Sequence, residues 1–334
     1  MFKDMRKAFL VTALAVTTLC GAANAAEPKE LNFGIISTES SQNLKAQWDP
    51  FLAEMSKRTG MKINSFFAPD YAGIIQGMRF NKVDVAWYGN KSAMEAVDRA
   101  GGEIFAQTVA ANGNPGYWSL LIAHKSSPIN SVEDMLKNAK TLTFGNGDPN
   151  STSGYLVPGY YVFAKNNVEA NKIFKRTLNA SHEVNALSVA NKQVDVATFN
   201  TEGMERLQET NPAKAAELKV IWKSPLIPAD PIVWRKNLPE ATKKKINDFF
   251  TSYGANQKEL AVLAGLQWGK FRASNDDQLL PIRQLELFKQ RSQVSVDSTM
   301  SAAEKQAKLK EIDASLEKLT ARMDALDKKV ASAK

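Results

Sequence analysis

A short repeated sequence is the feature that most constrains how this chain can fold. Residues Asn81–Ala86 read NKVDVA, and residues Asn191–Ala197 read NKQVDVA. Each copy follows a predicted short helix and leads into a predicted strand, and the two are separated by about the length of one lobe of a two-lobed protein. We therefore predict two similar lobes rather than one larger sheet.

The rest of the chain alternates short β-rich runs with helical stretches, which predicts α/β lobes with mostly parallel sheets. Two segments are suited to cross between the lobes: the predicted strand Tyr117–Lys125 and the stiff, proline-rich stretch Ser224–Pro231. The second lobe is then inserted into the first. We expect a discontinuous first lobe at residues 26–116 and 228–300, and a second lobe at residues 117–227.

Two helices are predicted in more detail. One has Leu44, Trp48, Leu52 and Met55 on one face, and we expect it to break or restart at Pro50.

The other is a long amphipathic helix at residues 301–334, in which apolar side chains recur alternately every three and every four residues. This seam consists of Leu309, Ile312, Leu316, Leu319, Met323, Leu326 and Val330. It can pack on the chain's own first lobe or form a helix-to-helix dimer contact, and the sequence leaves both open.

The N-terminus has the three parts of a secretory signal peptide. Residues 1–7 are basic, residues 8–20 are apolar or small, and Ala23–Ala25 forms a small-x-small cleavage site. Cleavage after Ala25 would remove Cys20, the one cysteine of the sequence. The exported protein would then have no disulfide, and thiol catalysis and zinc–thiolate sites are excluded.

The charge of the chain bears on its partners. The formal net charge is +8 for 334 residues, which suits an anionic ligand or a membrane surface. Lysine and arginine are scattered, however, and do not form a basic stripe interleaved with aromatic side chains. We therefore expect no nucleic-acid partner.

Polar and aromatic residues cluster where predicted strands end. In open α/β sheets, ligands bind beyond the carboxyl ends of the strands. Clusters of this kind occur at residues 69–73, 88–90, 145–154, 179–182 and 199–202. We expect the ligand site at this edge.

The hydroxyl run Ser151, Thr152 and Ser153 is the most informative of these clusters. It places three hydroxyls and the free N–H groups of a helix N-terminus at one point, and Gly154 lets the backbone come close. This arrangement can hold a tetrahedral oxyanion without a metal. The alternative is plain helix capping, for which one hydroxyl suffices. No Gly-Lys-Ser/Thr follows, so the segment is not a Walker loop.

Hydrolase chemistry has little support. The sequence has neither a Gly-x-Ser-x-Gly elbow nor a His-Glu-x-x-His motif, and its two histidines are His124 and His182. We expect a structural role for His124, whereas His182 could cap a helix or donate to an anion. Glu202 and Asp230, each considered alone, are ordinary surface or capping residues, and they matter only if both project into a cleft.

Three long, ungapped strings resemble the periplasmic phosphonate-binding proteins of phosphonate ABC importers. They are Leu31–Ser40, Phe67–Phe80 and Gly145–Lys165. The resemblance extends from about Leu31 into the C-terminal helix and covers nearly the whole mature chain.

The resemblance implies a type II periplasmic binding protein, with two α/β lobes joined by two crossing strands and closing over a ligand. It also implies a site. The phosphonate would be held by Ser151, Thr152, Ser153, Tyr117 and His182, the ammonium group of the ligand by Glu202 and Asp230, and Tyr71 would be an aromatic contact in the cleft.

Together these observations predict an exported binding protein, not an enzyme, that needs no cofactor or metal. It would capture an organophosphonate such as 2-aminoethylphosphonate in the periplasm and deliver it to a membrane ABC permease. The alternatives are a protein that binds phosphate, phosphite or a phosphate ester, and a secreted phosphoester hydrolase using a hydroxyl of Ser151–Ser153 with His182.

Overall fold

The computed structural model of the protein describes residues 27–332. The predicted signal peptide at residues 1–25 and its cleavage site after Ala25 lie outside the described residues. Within residues 27–332, no helix is long and apolar enough to cross a membrane.

The first lobe begins with alternating strands and helices. They are β1 (Glu30–Ile35), α1 (Ser41–Thr59), β2 (Lys62–Phe66), α2 (Tyr71–Arg79), β3 (Val85–Trp87), α3 (Asn90–Arg99) and β4 (Gly102–Gln107). A first hinge strand, β5 (Gly116–Tyr117), leads out of this lobe.

The second lobe follows the same alternating plan. It comprises β6 (Ser119–His124), α4 (Val132–Asn138), β7 (Thr143–Asn146), an irregular helix at residues 152–166 with two π-helical turns, α5 (Ala170–Ile173), β8 (Arg176–Asn179), α6 (His182–Ala190), β9 (Val196–Asn200), α7 (Thr201–Thr210), α8 (Pro212–Ala215) and β10 (Leu218–Lys223).

The chain then returns to the first lobe. The second hinge strand, β11 (Ile227–Pro228), is followed by β12 (Pro231–Arg235), α9 (Glu240–Ser252), α10 (Gln257–Gly265), β13 (Arg272–Ala273), α11 (Leu280–Val296) and α12 (Ala302–Ser332).

Each lobe is built on one mixed sheet. The first has the order β13-β4-β12-β3-β1-β2 and the second the order β10-β6-β9-β7-β8. The expectation of mostly parallel sheets is wrong: β1 is parallel to β2 and β3, and β7 to β8 and β9, but the other pairs are antiparallel. The reason is the hinge, because β6 and β12 enter their sheets from it and run away from the cleft.

The two crossing strands are confirmed as an antiparallel pair. Ile227 lies opposite Tyr117, and Pro228 lies opposite Gly116. A methyl group built on Gly116 would lie 1.9 Å from the carbonyl oxygen of Ile227. Glycine is therefore required where the hinge strands approach most closely.

Helix α1 runs through Pro50 without a break, contrary to the prediction. The predicted face, with Leu44, Trp48, Leu52 and Met55, is buried. Pro50 and Ala46, whose carbonyl loses its partner because proline has no N–H, are both exposed. Solvent can satisfy that carbonyl, while the buried face holds both halves of the helix in line.

The C-terminal helix α12 packs against α11 of the same chain as an antiparallel hairpin. Arg291 Nε donates to Asp313 at 2.7 Å, and Arg322 pairs with Asp277. Of the seam residues whose side chains are described, Ile312 is buried and the others are half-buried. Within one chain, the seam thus faces α11 rather than the sheet of the first lobe.

The repeated sequence marks equivalent turns in the two lobes. The N–H of Asp84 donates to the carbonyl of Asn32 at the start of β1, and the carboxylate of Asp84 accepts the N–H of Asn32 at 2.8 Å. Asp195 makes the same pair of bonds with Thr143, its carboxylate accepting at 2.7 Å. The left-handed residues of the turns are Asn81 and Lys192, so Asn81 corresponds to Lys192 and not to the identical letter Asn191.

The two aspartates differ in burial, which predicts different costs when each is removed. Asp84 is buried and also accepts Arg235 Nε at 2.8 Å, whereas Asp195 is exposed. We expect Asp84→Ala to lower the free energy of unfolding by about 2–4 kcal/mol and Asp195→Ala by about 1 kcal/mol. Urea unfolding of both variants checks this, and equal losses would contradict it.

Candidate functional site

All eight sequence-predicted site residues line one cavity between the lobes. The cavity encloses about 780 Å³, including open space at its mouth. The residues are Tyr71, Tyr117, Ser151, Thr152, Ser153, His182, Glu202 and Asp230. The first lobe contributes Tyr71 and Asp230, the hinge contributes Tyr117, and the others come from the second lobe.

The hydroxyl run begins the irregular helix that follows β7. Ser151 is the N-cap, and its Oγ accepts the N–H of Gly154 at 2.9 Å. Thr152 Oγ1 accepts the N–H of Lys91 at 2.8 Å, across the cleft at the start of α3. Ser153 Oγ accepts from the amide of Asn200 at 3.2 Å. One hydroxyl therefore caps the helix, and the other two face the cavity and the opposite lobe.

Gly154 brings backbone close to backbone. A methyl group on Gly147 would lie 2.5 Å from Gly154 Cα, and the N–H of Gly147 donates to the carbonyl of Gly154 at 2.9 Å. A methyl group on Gly154 would also lie 3.2 Å from a ring carbon of His182. The glycine thus seats His182 against the hydroxyl run and folds the loop after β7 onto the helix.

His182 lies at the start of α6, capped by Ser181, and its ring is buried. Its Nε2 is 3.4 Å from both Ser151 Oγ and Ser153 Oγ. Burial lowers the pKa of His182 to about 4, so the ring is neutral at neutral pH. Within the described residues Nδ1 has no hydrogen-bond partner, whereas Nε2 faces the two hydroxyls and also lies 3.4 Å from the side-chain amide nitrogen of Asn200.

Glu202 and Asp230 both face the cavity, which is the condition that the sequence left open. Loss of hydration raises the pKa of Glu202 to about 7. Burial, and then the nearby Glu202, hold the pKa of Asp230 well above its usual range. Without a cation, the two carboxyls favour their protonated forms.

Tyr117 belongs to the carboxyl side of the cavity. Its hydroxyl donates to Asp230 Oδ1 at 3.0 Å. In this arrangement its one proton points at Asp230, although the resemblance implied a contact with the phosphonate.

Tyr71 opens α2, and its N–H donates across the cleft to Asp148 Oδ2 at 3.1 Å. Its side chain is buried in the cavity wall. The remaining lining mixes polar and charged side chains with aromatic and aliphatic ones, and the latter include Ile36, Trp87, Phe199 and Trp268.

Several cavity residues were not singled out from the sequence. Asn200 lies in one of the predicted strand-end clusters, and Arg206 follows Glu202 by one helical turn, a spacing that places both on one face of α7. Trp87 and Trp268 carry no sequence signal, because chain segments distant in sequence bring them to the wall. His124, by contrast, lies in β6 with Nε2 3.0 Å from Glu217, outside the cavity lining, as its structural role predicts.

No group of histidine, cysteine, aspartate or glutamate in the described part of the chain could hold a metal ion. The cleft offers hydroxyls, backbone N–H groups, a neutral imidazole and two carboxyls. Such a set can bind a small zwitterion whose anionic group meets the hydroxyls and whose cationic group meets the carboxyls.

Two lobes, paired hinge strands and a polar cleft define a class: a type II periplasmic solute-binding protein. A family model described as "ABC transporter, phosphonate, periplasmic substrate-binding protein" matches residues 33–279. The chain therefore belongs to the phosphonate-binding family of periplasmic substrate-binding proteins. Its relatives are transport components that bind substrate, and the protein is not an enzyme.

Individual relatives agree with this assignment. The chain is 65% identical over 313 residues to the phosphonates-binding periplasmic protein of Escherichia coli K12, covering 93% of this chain and 92% of the relative. It is 72% identical, with a TM-score of 0.89, to the binding protein component of an ABC phosphonate transporter from Pseudomonas aeruginosa, covering 90% and 99% of the two chains.

A Prochlorococcus marinus protein solved in complex with methylphosphonate is 22% identical to this chain. Its TM-score is 0.69, and the match covers 78% of this chain and 97% of that one. At this identity the likeness supports the fold alone.

The burial of His182 gives a testable prediction. We expect its ring to titrate near pH 4 in the folded protein, as followed by NMR of the two histidines, with His124→Gln assigning the signals. Because the unfolded chain takes up this proton near pH 6.5, His182 should make folding less favourable as the pH falls from 6.5 towards 4. Titration near 6.5 would contradict the burial.

Proposed function

We propose that this binding protein captures aminoalkylphosphonates, with 2-aminoethylphosphonate as the best ligand, and delivers them to a membrane ABC permease. We further propose that it reaches the periplasm by cleavage after Ala25. The observation that carries the choice of ligand is the presence, in one cleft, of a hydroxyl run and two carboxyls, of which Asp230 is buried and Glu202 half-buried.

The anionic group has matching donors at the hydroxyl run. We propose that the phosphonate is held by Thr152, Ser153 and the N-terminus of their helix, with Ser151 and His182 beside it. These donors are fixed and short-ranged, and a helix N-terminus favours an anion through its N–H groups and its dipole. In the tautomer that carries its proton on Nε2, His182 would add a further donor.

The cationic group has matching acceptors in Glu202 and Asp230. An ammonium group leaving water needs charged acceptors, and each hydrogen bond to a charged group contributes about 1.5–3 kcal/mol. A ligand without a cation would leave the carboxyls protonated, or charged and unpaired, inside the cleft.

The spacing favours a short ligand. A methyl group on Gly89 would lie 3.2 Å from Thr152 Oγ1 and 3.9 Å from Asp230 Oδ1. The hydroxyl of the second lobe and the carboxyl of the first therefore border the same narrow stretch of cavity. This proximity supports a short link between phosphorus and nitrogen, such as the two carbons of 2-aminoethylphosphonate.

We also propose that the lobes divide at the hinge pairs, with residues 26–116 and 228–300 in one and residues 117–227 in the other. Closing the lobes would bring Thr152 and Asp148 against the starts of α3 and α2. The closed form is then the one that a permease can distinguish from the open one.

The selectivity of the cleft can be measured by calorimetry with 2-aminoethylphosphonate, phosphate, ethylphosphonate and propylphosphonate, the last of which replaces the ammonium by a methyl group. We expect 2-aminoethylphosphonate to bind far more tightly than the others. Glu202→Gln or Asp230→Asn should weaken it by about 10–100-fold and spare or improve the others. Glu209→Gln, on the same helix but outside the cleft lining, is the matched control. Equal wild-type affinities would remove the two carboxyls from the site.

Self-association through the C-terminal helix is a separate proposal. Helix α12 spans 31 residues and α11 only 17, and Arg322 already meets Asp277, before α11 begins. The seam positions after Arg322 thus extend past α11, where a second copy could cover them. We expect light scattering to give a dimer mass for the full chain and a monomer mass after truncation at Met300. If the full chain and the truncated chain have the same oligomeric state, the seam packs only within the monomer.

A further inference from the structure

The carboxylate of Glu183 joins the two lobes at the mouth of the cleft. Glu183 lies in the first turn of α6 in the second lobe. Its Oε2 accepts the N–H of Ser40 at 2.8 Å, and its Oε1 accepts from the side-chain amide of Asn43 at 2.7 Å. The N–H of Glu183 also donates to the carbonyl of Thr38 at 3.2 Å. Three hydrogen bonds therefore connect one residue of the second lobe to the start of α1 in the first.

These bonds complete a helix cap whose parts come from different lobes. In a capping box, the N-cap hydroxyl accepts an N–H three residues on, and a glutamate at that third position accepts the N–H of the N-cap. Ser40 Oγ accepts the N–H of Asn43 at 3.2 Å, which is the first half of the box. The residue three positions after Ser40 is Asn43, which has no carboxylate. The carboxylate that accepts the N–H of Ser40 belongs instead to Glu183 of the other lobe. The second half of the box therefore needs both lobes, and we expect opening of the cleft to break it.

The same contact places a negative charge at the positive end of α1. A carboxylate at a helix N-terminus is stabilised by the helix dipole and by the N–H groups that have no partner within the helix. Oε2 of Glu183 accepts the backbone N–H of Ser40 at this end, and Oε1 accepts from the side-chain amide of Asn43. Its neighbour His182 faces the hydroxyl run, whereas Glu183 faces the other lobe.

A second interlobe contact supports this assignment. Arg206 of α7 donates to Glu39 Oε1 at 2.9 Å and to Gln267 Oε1 at 3.1 Å, both on the first lobe. Arg206 also acts on Glu202, since its charge opposes the rise in the pKa of that carboxyl. Changes at Arg206 would therefore alter ligand selectivity as well as closure. Glu183 also borders the cavity, but both of its carboxylate oxygens bond to the first lobe, so it is the better site at which to test closure.

We propose that Glu183 is a positioning residue that sets how tightly the cleft holds every ligand, by capping α1 from the opposite lobe in the closed state. The inference rests on the proposed closure of the lobes over a phosphonate. A contact present only in the closed state multiplies the affinity of all ligands by the same factor, because it shifts the equilibrium between open and closed forms. Glu202 and Asp230, by contrast, should change the ratio between ligands.

The first test compares Glu183→Ala with the wild type, using 2-aminoethylphosphonate and propylphosphonate as ligands. We expect both dissociation constants to rise by the same factor, about tenfold for the loss of charge-assisted bonds, with the increase in koff. Glu133→Ala is the matched control, since Glu133 lies in the first turn of α4 and is exposed. It should leave both constants unchanged. Small-angle scattering should show a smaller closed fraction for Glu183→Ala at equal ligand concentration.

A rescue experiment separates this role from a merely structural one. Asn43→Asp places a carboxylate against the carboxylate of Glu183, so this change alone should weaken binding of both ligands by the same factor. Adding Glu183→Gln lets the new amide donate to the new carboxylate while its oxygen accepts the N–H of Ser40, and affinity should recover most of that loss.

The outcomes distinguish the inference from the proposed function. Unchanged affinities in Glu183→Ala would overturn the role of Glu183. Weakening of one ligand alone would also overturn it, since that would make Glu183 a selectivity residue. If the wild type binds neither phosphonate, the proposed function fails instead.

Discussion

Two carboxyl groups taken out of water into one cleft are the constraint on which the site depends. Carboxyls in such a cleft are costly when charged and without a cation: loss of hydration raises the pKa of Glu202 to about 7, and burial together with the nearby Glu202 holds the pKa of Asp230 well above its usual range. The hydrogen bond from Tyr117 to Asp230 and the charge of Arg206 near Glu202 offset only part of that cost. An ammonium group bound in the cleft would therefore stabilise the ionised forms of both carboxyls.

The fold explains how these groups meet. Strands β1, β3, β7 and β9 carry polar residues from their carboxyl ends to the cleft, while β6 and β12 leave the hinge in the opposite direction. Asp230 lies directly before β12, and Tyr117 ends the hinge strand β5 that leads into β6, so the hinge itself brings them together. The hydroxyl run comes from the loop after β7. Closure then depends on contacts of one lobe with helix starts of the other, as at Thr152 with Lys91 and at Glu183 with Ser40.

Much of this arrangement could be predicted from the sequence. The repeated sequence that begins at Asn81 and Asn191 indicated two lobes because Asp84 and Asp195 each accept a backbone N–H of a neighbouring strand. The same turn needs the same residues in each lobe, so the similarity is visible in the sequence. The hydroxyl run was visible for the same reason. Tyr117 and Asp230 came from the resemblance alone. Their hydrogen bond joins residues 113 positions apart, and the sequence near either residue contains no pattern that predicts it.

Other features could not be predicted because they are settled by tertiary contacts. The burial of one face of α1 overrides the local preference of Pro50 to end a helix. The mixed sheets follow from where the hinge enters, which periodicity cannot show. The capping partner of Ser40 lies 143 positions away, in another lobe, so a search for a capping box near Ser40 finds only half of it.

Proton release on binding tests the central claim most directly. In the empty closed cleft Glu202 is protonated below its pKa of about 7, and an ammonium group beside it favours the ionised form. Calorimetry at pH 6 in two phosphate-free buffers of different ionisation enthalpy should show that 2-aminoethylphosphonate expels more protons than propylphosphonate does, because the ammonium group favours the ionised forms of both carboxyls. The excess should fall in Glu202→Gln and in Asp230→Asn. Equal proton release for the two ligands in the wild type would contradict the account.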